Sequence, residues 1–452
     1  MTSEWPIVTL QEVCETITDG AHASPKDYPG GLPMASVKDM ARWGIDVKTS
    51  RTIAPNDFED LVRNGCQPQI GDILIAKDGA TCLDTVCEFK QPDKIVLLSS
   101  VAILRPSDRL HSSYLRYYLD SADTRAMLKA GYVSGSAIPR VVLKDFRRAP
   151  IPLPPLAEQK AIAAILGALD DKIELNRRMN ATLEAMARAL FQSWFVDFDP
   201  VRAKLDGRKP EGMDKATAAL FPDAFQESPI GPVPKGWKVG VLDELISFVI
   251  GGDWGASEPT EDETVSCYCI RGADIPSLQG GGVGKMPTRF LKQSSVEKRQ
   301  LMDGDLAIEI SGGSPTQCTG RPVLISDALS KSLSLPIVAS NFCRIVKLKS
   351  PAFSKFVYCW LRYLYDAGSL FQFETGTTGI KNFAFVLFCE KYPLVVPEQR
   401  IAEAFDNAVS PLFVRIQANA LQSRTLANLR DTLLPKLLNG ELSVASIPKV
   451  KA

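Results

Sequence analysis

Apolar residues recur at alternating spacings of three and four in two long stretches of the chain, a pattern typical of paired helices. In the first stretch this seam comprises Ile162, Leu166, Leu169, Ile173, Asn176, Asn180, Leu183, Ala187, Leu190 and Trp194. In the second stretch, 243 positions later, it comprises Phe405, Val409, Leu412, Ile416, Asn419, Ser423, Leu426, Arg430, Leu433 and Leu437. Pro154, Pro155 and Pro397 precede the two stretches, and Pro200 follows the first. Because proline favours helix boundaries, the pattern predicts two long helices. The first, from 156 to 195, would span ~60 Å at the standard helical rise.

Both seams carry asparagine at the equivalent position, Asn176 and Asn419. An asparagine in such a seam lowers stability but fixes the register and orientation of the paired helices. We therefore predict an antiparallel coiled coil, related by the pseudo-twofold that an internal duplication produces. The alternative is two separate amphipathic helices, each buried on its own domain.

The duplication extends beyond the helices. "PLAEQKAIAAILGALDDKIELNRRMN" (155–180) is echoed by "PEQRIAEAFDNAVSPLFVRIQAN" (397–419). Upstream, "GDILI" (71–75) corresponds to "GDLAI" (304–308), and "GSAIPR" (135–140) corresponds to "GTTGIK" (376–381). The corresponding segments occur in the same order, but the number of residues between each pair varies along the chain. This is expected of two diverged copies with loop insertions. The order is therefore globular, helix, globular, helix.

Each globular half reads as mixed α and β, because short apolar runs bounded by Gly, Asp and Ser favour strands and longer periodic runs favour helices. We predict an α+β chain with two mixed α/β recognition domains in pseudo-twofold repeat, separated by two long helices packed as an antiparallel coiled coil. The predicted boundaries are 1–150 for the first domain, 151–200 for the central helical spacer, 201–234 for a linker, 235–390 for the second domain and 391–452 for the distal helical spacer.

Composition narrows the class of protein. The 452 residues are 45% hydrophobic and 23% charged, which is typical of globular chains. No run of eighteen apolar residues and no secretory signal is present, so we expect a cytoplasmic protein with no membrane partner. Two histidines and ten cysteines without a CxxC pair argue against a zinc site. The 52 basic and 52 acidic residues cancel, which argues against a chain that grips DNA without help.

Catalytic signatures are weak. "GGGVGKM" (280–286) resembles a phosphate-binding loop, but Gln279 stands where the first Gly belongs and Met286 replaces the Ser or Thr that holds magnesium. No dinucleotide-binding, adenine methyltransferase, GxSxG or HExxH motif is found. The sequence therefore predicts a recognition or assembly subunit with no catalytic residues and no metal site.

The stretch "PLAEQKAIAAILGALDDKIELNRRMNATLEAMARALFQSWFVDFDPVRAKLDG" resembles the central conserved region of the specificity subunit, HsdS, of type I restriction-modification enzymes. "TLANLRDTLLPKLLNGEL" (425–442) resembles its distal conserved region. "TDGAHASP" (18–25), "GDWGASEP" (252–259) and "SGGSPTQCTGRPV" (311–323) are similar to loops of that family's two target-recognition domains. The resemblance covers essentially the whole chain.

This resemblance implies a non-catalytic subunit that reads a split target on double-stranded DNA, one half with each domain, while the helices set the gap. It implies two methyltransferase subunits docked on the helices, and a restriction or translocase subunit as a further partner. S-adenosylmethionine is expected in the methyltransferase subunit, with no cofactor in this chain. Two domains reading one face of B-DNA should sit ~34–36 Å apart, or a multiple of that distance.

Candidate DNA-binding residues are those of base-reading or phosphate-holding type in loops at matching places of the two halves. They are His22, Ser24, Lys38, Lys77, Ser134, Ser136 and Arg140 in the first half, and Trp254, Arg271, Ser314, Thr316, Gln317, Arg321, Thr377, Thr378, Lys381 and Asn382 in the second. For any one of them, a solvated loop position or a turn former is an equal alternative.

Candidate partner-binding residues lie on the exposed faces of the repeated helix starts: Glu158, Gln159, Glu398 and Gln399. The alternative for them is stabilisation of the helix N-terminus, where a carboxylate is favoured. Two other functions stay open on the sequence alone. A two-headed adaptor that recognises proteins would suit the zero net charge, and a self-sufficient methyltransferase or nuclease would require motifs that are missing.

Overall fold

A computed structural model describes residues 5–135, 138–313, 317–376 and 380–444. The chain divides into two compact units. Unit 1 comprises residues 1–174 and 425–452, and unit 2 comprises residues 175–424. Since this division cuts both long helices near their middles, it does not test the five predicted boundaries, which stay predictions.

Unit 1 is a mixed α/β unit. Its strands are β1 (Ile7–Thr9), β2 (Cys14–Asp19), β3 (Asp27–Ala35), β4 (Met40–Ala41), β5 (Gly44–Ile45), β6 (Arg51–Ile53), β7 (Ile73–Ala76), β8 (Val86–Glu88), β9 (Val96–Leu97), β10 (Val101–Pro106), β11 (Val133–Ser134), β12 (Arg140–Val141) and β13 (Pro150–Pro152). Its shorter helices are α1 (Leu10–Val13), α2 (Pro55–Arg63), α3 (Ser112–Asp120), α4 (Ala122–Tyr132) and α5 (Leu143–Phe146). The first long helix, α6 (Leu156–Phe195), begins in this unit.

Unit 2 has the same kinds of element. Its shorter helices are α7 (Asp199–Leu205), α8 (Lys215–Leu220), α9 (Ile275–Gln279), α10 (Gln293–Arg299), α11 (Asp327–Lys331), α12 (Ser354–Asp366) and α13 (Phe385–Lys391). Its strands are β14 (Phe225–Gln226), β15 (Val233–Pro234), β16 (Lys238–Val241), β17 (Ile246–Gly251), β18 (Val265–Ile270), β19 (Thr288–Leu291), β20 (Leu306–Glu309), β21 (Ser311–Gly312), β22 (Pro322–Leu324), β23 (Ile337–Ala339), β24 (Cys343–Leu348), β25 (Glu374–Thr375), β26 (Lys381–Phe383) and β27 (Pro393–Val396). The second long helix, α14 (Gln399–Leu438), begins here.

The two units share one sheet topology. The central sheet has the order β2-β10-β7-β8 in unit 1 and β17-β24-β20-β22 in unit 2, with every neighbouring pair antiparallel. A second sheet has the order β6-β3-β9 or β19-β18-β23, and in each the last pair is parallel. A two-stranded ladder, β1-β13 or β16-β27, precedes each long helix. The predicted fold class and duplication are therefore confirmed.

The central strands explain why short apolar runs were readable. β7 and β20 are buried at every position, because helices cover one face of the central sheet and the second sheet lies against the other. Strands buried on both faces appear as unbroken apolar runs. "DILIA" and "LAIEI" are such runs, and they end where the chain leaves the sheet for the loops described below.

The long helices pair in antiparallel fashion within each unit. In unit 1, Asp170 of α6 accepts a 2.7 Å hydrogen bond from Arg430 of α14, and seam residues of both helices share one apolar core. In unit 2, Asn176 lies against Asn419, and Asn180 donates to the Ile416 carbonyl at 3.0 Å. None of the predicted seam residues Leu169, Ile173, Asn176, Leu183, Leu412, Ile416, Asn419 and Leu426 is exposed. The predicted pairing is thus favoured over two separately buried helices.

The seam asparagines form a near-symmetric set of hydrogen bonds in unit 2. Asn176 Nδ2 donates to Ser423 Oγ at 3.2 Å, and Asn419 Nδ2 donates to Asn180 Oδ1 at 2.9 Å. These two bonds exchange when each residue is replaced by its equivalent in the other copy. Asn176 also donates to the Asn419 carbonyl at 3.2 Å and to Gln422 Oε1 at 2.9 Å. A slip of register would leave these buried amides unpaired, which costs about 1–3 kcal/mol for each group.

We expect Asn176→Ala and Asn419→Ala each to lower the free energy of unfolding of unit 2 by about 1–3 kcal/mol, because each leaves buried partners unpaired. In the double variant the effects should be non-additive by about 0.5 kcal/mol or more, since the residues belong to one network. Urea unfolding of the four proteins measures this coupling. Asn407→Ala, at an exposed position of α14, is the control. Strictly additive losses would show that the two asparagines do not form a unit.

One glycine in each copy allows the chain to turn closely past the second sheet. A Cβ on Gly20 would lie 2.1 Å from the Leu97 carbonyl oxygen, and a Cβ on Gly252 would lie 2.1 Å from the Ser340 carbonyl oxygen. These backbone atoms belong to or directly follow the third strand of the second sheet in each unit. The loop that leaves β2 or β17 is therefore positioned by a contact that only glycine permits.

Gly20→Ala should lower the free energy of unfolding of unit 1 by about 1–3 kcal/mol, because the added methyl group meets backbone rather than a movable side chain. Hydrogen exchange of peptides from unit 1 measures the loss. Gly131→Ala is the control, since a Cβ there meets nothing within 4 Å. In helix α4 alanine should be neutral or stabilising. Equal behaviour of the two variants would contradict the close approach at Gly20.

Candidate nucleic-acid interface

In unit 1, loops from different parts of the chain meet at one end of the central sheet. We call residues 20–25, 77–84, 134–135 and 138–140 loop edge 1. Backbone hydrogen bonds hold it together: the Lys77 amide donates to the Ser100 carbonyl at 2.8 Å, and the Gly79 amide donates to the Pro139 carbonyl at 2.9 Å. Five of the predicted residues lie in loop edge 1: His22, Ser24, Lys77, Ser134 and Arg140.

Lys77 does not present a free ammonium group. Its side chain is 7% exposed, and its Nζ lies 2.6 Å from Asp19 Oδ2. His22 is 77% exposed and approaches the other oxygen of the same carboxylate at 3.2 Å. Because Lys77 is buried and paired, the prediction that it contacts DNA is corrected: it fixes the end of β2 against the end of β7. His22 remains an accessible candidate.

Arg140 is the most accessible cation of the predicted set in loop edge 1. Its side chain is 62% exposed, and its Nε donates to Asp78 Oδ1 at 3.1 Å. Lys38 and Ser134 are also exposed. Ser24 is exposed and accepts a 2.6 Å hydrogen bond from Arg51. Ser136 lies outside the described residues.

Unit 2 repeats this arrangement in loop edge 2, comprising residues 252–257, 310–313, 317–321, 374–376 and 380–383. β21 pairs with β26 so that Ser311 faces Asn382, and Ser311 Oγ lies 2.9 Å from Asn382 Oδ1. Lys381 lies 2.7 Å from Glu374 Oε2 and 5.0 Å from the centre of the Phe371 ring. Lys381 thus occupies in this copy the place that Arg140 has in the first, again beside a carboxylate. Asn382 is exposed.

Trp254 is held by a residue that the sequence analysis did not select. The Arg289 guanidinium stacks 4.4 Å from the centre of the Trp254 ring and donates to the Trp254 and Gly255 carbonyls. The indole is 37% exposed, so one face remains available to a base or sugar. Arg289 was not predicted, because it lies on strand β19 and outside the glycine-rich loops.

Arg271 is largely engaged within the fold. Its Nε and Nη2 bond the buried Asp274 carboxylate at 3.0 and 3.3 Å, and Nη2 donates to the Lys285 carbonyl at 2.7 Å. Hydrogen bonding to Asp274 raises the pKa of Arg271. Arg271 is therefore not the free guanidinium expected of a DNA-reading residue. It forms an ion pair that fixes its loop, and its side chain is 39% exposed.

The remaining candidates of loop edge 2 surround a buried acid. Arg321 donates from Nε and Nη2 to the Tyr365 hydroxyl at 3.0 and 2.7 Å, and Gln317 is exposed beside it. Glu309, at the end of β20, is 7% exposed, and burial raises the pKa of its carboxyl group against the opposing charge of Arg321. Tyr365 and Glu309 were not predicted, because neither lies in a loop. Ser314, Thr316, Thr377 and Thr378 lie outside the described residues.

The predicted partner-binding residues differ in exposure. Gln159 is 1% exposed, accepts the His111 amide at 2.8 Å and donates to the Pro154 and Arg109 carbonyls. Its expected place on an exposed face is therefore wrong, since its buried amide binds the backbone before α6 and ties α6 to the residues that precede α3. Gln399 is exposed and bonds Glu403 at 2.8 Å. Glu398 is exposed and Glu158 half-buried, and their binding role stays a prediction.

Two further features are absent from the described residues. Across the described ranges, no group of three or more His, Cys, Asp and Glu side chains is arranged to hold a metal ion. Within those same ranges, no helix combines the length and apolarity needed to cross a membrane.

Residues 2–185 match the family model described as the type I restriction modification DNA specificity domain. This stretch is thus similar to a type I DNA specificity domain, in agreement with the family resemblance of the central helix and the loops. The match covers the N-terminal segment of unit 1 and continues along α6 past Asn176 and Asn180, and unit 2 repeats the same topology.

Full-length relatives extend the similarity to both copies. The chain is 26% identical over 454 residues to the type I restriction enzyme MjaIX specificity subunit of Methanocaldococcus jannaschii, covering 98% of this chain and 95% of the relative. It is 25% identical to the HindI specificity subunit of Haemophilus influenzae, covering 77% and 82%. The crystal structure of the type I restriction-modification S subunit from M. genitalium aligns over 96% of both chains with a TM-score of 0.50 at 16% identity, which supports the fold.

Proposed function

We propose that this chain is the non-catalytic DNA specificity subunit of a type I restriction-modification complex. The observation that carries the proposal is the repetition of one loop edge, on one sheet topology, in a chain whose first copy matches the type I DNA specificity domain. Each loop edge would read one short half of a split DNA target. Arg140 and Lys381, at equivalent places, are the leading candidates for contacts to phosphates or base edges.

The charges of the loop edges explain how a chain of zero net charge could serve this role. Arg140 and Lys381 each lie beside a carboxylate, so binding a phosphate means competing with an internal partner. Affinity of the free chain for DNA would accordingly be low, since phosphate neutralisation supplies most non-specific binding. A basic partner subunit would supply the missing positive charge.

We assign the chemistry to partner subunits. Methyltransferase subunits, two in number, would dock on the helices and modify a target adenine with S-adenosylmethionine, after flipping the base out of the stack. A restriction subunit would cleave when neither strand is modified. Support comes from the relatives, which are specificity subunits of type I restriction enzymes, and from the failure of the sequence to provide catalytic motifs.

The test is a methylation map. We would co-express the chain with its neighbouring methyltransferase subunit in an unmethylated host and sequence the genomic DNA for modified adenine. We expect a split motif, with two short half-sites around a fixed gap. Exchanging residues 1–150 for those of a relative should change one half-site and leave the other intact.

If expression and complex formation are verified and no motif appears, the DNA-recognition proposal fails. A two-headed protein adaptor, which suits the zero net charge, would then replace it. Methylation by the chain without its partner would instead indicate an enzyme.

A further inference from the structure

Unit 1 contains a cavity that shares no lining residue with loop edge 1. It has a volume of about 520 Å³ and opens between α3, the first half of α6, the turn between β4 and β5, and the end of β8. The α6 wall consists of small residues, Ala163, Ala164, Gly167 and Ala168, so the floor is close to the helix backbone. Volumes of this size are typical of small-molecule sites.

The inner wall of the cavity is a buried ionic cluster. Asp170 accepts hydrogen bonds from Arg116 at 2.8 Å and from Arg430 at 2.7 Å, and Asp120 lies 2.6 Å from Arg42 Nη1. Three guanidinium groups thus face two buried carboxylates. Asp431, which also contacts Arg430, is 62% exposed and is screened by water. The buried cluster therefore holds one more positive than negative charge.

Several donors of this cluster are unused. Nε and Nη2 of Arg116 have no hydrogen-bond partner among the residues that the structure describes, and the Arg116 side chain is 8% exposed. Nε and Nη2 of Arg42 likewise have no hydrogen-bond partner within the described ranges, although Nη2 lies 3.6 Å from Asp170 Oδ2, and Nδ1 of His111, which also lines the cavity, has none either. The Nε–Nη2 edge of a guanidinium is the fork that binds carboxylate or phosphate with two parallel hydrogen bonds. Leaving buried charged donors unpaired is costly, so the arrangement points to an absent anion.

The second copy shows that this cluster is not required by the fold. "LRYYLD" (115–120) of α3 recurs as "LRYLYD" (361–366) of α12, so Arg362 is the equivalent of Arg116. Both terminal nitrogens of Arg362 have partners: Nη1 donates to Gln279 at 2.6 Å, and Nη2 lies 3.3 Å from Asp366. The equivalents of Asp170 and Arg430 are Phe413 and Ala187, and they line a cavity of only about 20 Å³. Copy 1 therefore keeps an open cavity beside this arginine, where copy 2 has apolar side chains at the two helix positions and only a small cavity.

The rim of the cavity carries one net negative charge. Glu88 pairs with Lys90 at 3.2 Å and accepts the Ser113 hydroxyl at 2.7 Å. Lys160 and Asp171 are exposed and of opposite sign, and Glu174 also lines the cavity. The rim therefore offsets the single positive charge of the inner cluster, and it is the unpaired donors of Arg116 that favour an anion.

We propose that this cavity is a binding site for a small molecule bearing one oxyanion, a carboxylate or a phosphate group, which the free edges of Arg116 and Arg42 hold while its body lies along the small-residue face of α6. The site does not rest on the proposed DNA function and would persist if that function were refuted.

Equilibrium dialysis of the full chain against radiolabelled inorganic phosphate tests the proposal, with acetate as competitor and as a second probe by calorimetry. We expect one saturable site per chain. Displacement of phosphate by acetate would identify a site for either oxyanion, and resistance to acetate would identify the phosphate class. Arg116→Gln should weaken binding about ten- to a hundredfold, since hydrogen bonds to charged groups contribute on that scale. Arg116→Lys, which keeps the charge and loses the fork, should bind with intermediate affinity.

Arg362→Gln is the matched control, because it alters the equivalent arginine of the copy without an open cavity, and it should bind like the wild type. If Arg116→Gln proves unfolded by hydrogen exchange, Arg42→Gln, at a side chain 29% exposed, takes its place with the same expected loss. Wild-type chain that binds neither phosphate nor acetate saturably, or an Arg116→Gln variant that folds and binds both normally, would overturn the proposal.

Discussion

Asp170→Asn should lower the free energy of unfolding of unit 1 by about 3–5 kcal/mol, which is the cost of breaking a buried ionic network from one side. Asp170 is 2% exposed and contacts Arg116, Arg430 and the Tyr117 hydroxyl, the last at 2.9 Å. The substitution keeps the shape of the side chain and removes its charge. Three buried guanidinium groups would then share one carboxylate.

We also expect the stabilising contribution of Asp170 to be lost in acid. Burial alone would raise the pKa of Asp170, but Arg116, Arg42 and Arg430 together outweigh it and hold the pKa below the usual 3.8. Because the folded pKa is depressed, this contribution is fully present above pH 3.8 and is lost as the pH falls through the lower folded value. The stability difference between wild type and Asp170→Asn should therefore be constant at neutral pH and shrink below pH 3.8. Burial raises the pKa of Asp120, but that contribution is common to both proteins.

Hydrogen exchange of unit 1 peptides, measured over a pH series with the intrinsic rates corrected, would report the loss. Asp171→Asn is the control, since the neighbouring carboxylate is exposed on the same helix. A variant at 170 as stable as the one at 171 would mean that the arginines do not depend on this carboxylate.

Phe405→Ala should lower the free energy of unfolding of unit 2 by about 3–5 kcal/mol, as expected for removing a fully buried aromatic side chain. Phe405 is 0% exposed, and its ring centre lies 5.0 Å from that of Phe195, 5.7 Å from Trp194 and 6.1 Å from Phe191. These rings join α14 to the end of α6 and to the core of unit 2. The aromatic pairs add to the area that burial removes from water.

Denaturant unfolding followed by hydrogen exchange of unit 2 measures this effect. Phe342→Ala, at a ring that is 50% exposed, is the matched control and should cost far less. Since Phe405 is a seam position, partial separation of the helix ends in unit 2 should accompany the loss, seen as faster exchange at 399–410 and 185–195. A loss below about 1 kcal/mol would show that neighbouring rings refill the space.

The two copies differ at the helix positions that lie near the cavity of unit 1. The sheets and seam asparagines are alike because each depends on a repeated pattern of burial. Asp170 and Arg430 in one copy, against Phe413 and Ala187 in the other, show that the same helix positions can be filled by ions or by apolar groups. Where the side chains are charged an open cavity remains, and where they are apolar the cavity is small.

The candidate residues illustrate where sequence reasoning stops. Loop composition selected Arg140 and Lys381 at matching places of the two copies, and the folded chain adds that each lies beside a carboxylate. It did not separate accessible cations from internal ion pairs. Nothing in the local sequence distinguishes these internally paired residues from exposed ones. Lys77 pairs with Asp19, Arg271 pairs with Asp274, and Gln159 accepts a hydrogen bond from the His111 amide. Such partners are distant in the chain, so no local pattern reveals them.

Sequence was enough to predict the long helices, their seam, the paired asparagines and the duplication, because each is a periodic pattern that burial imposes on every turn or strand. The family resemblance also indicated a type I DNA specificity domain. The folded chain was needed to show which charges are paired and where the cavity beside Arg116 lies. Electrostatic pairing depends on distances of a few ångströms between residues far apart in the chain, and only the folded chain sets those distances.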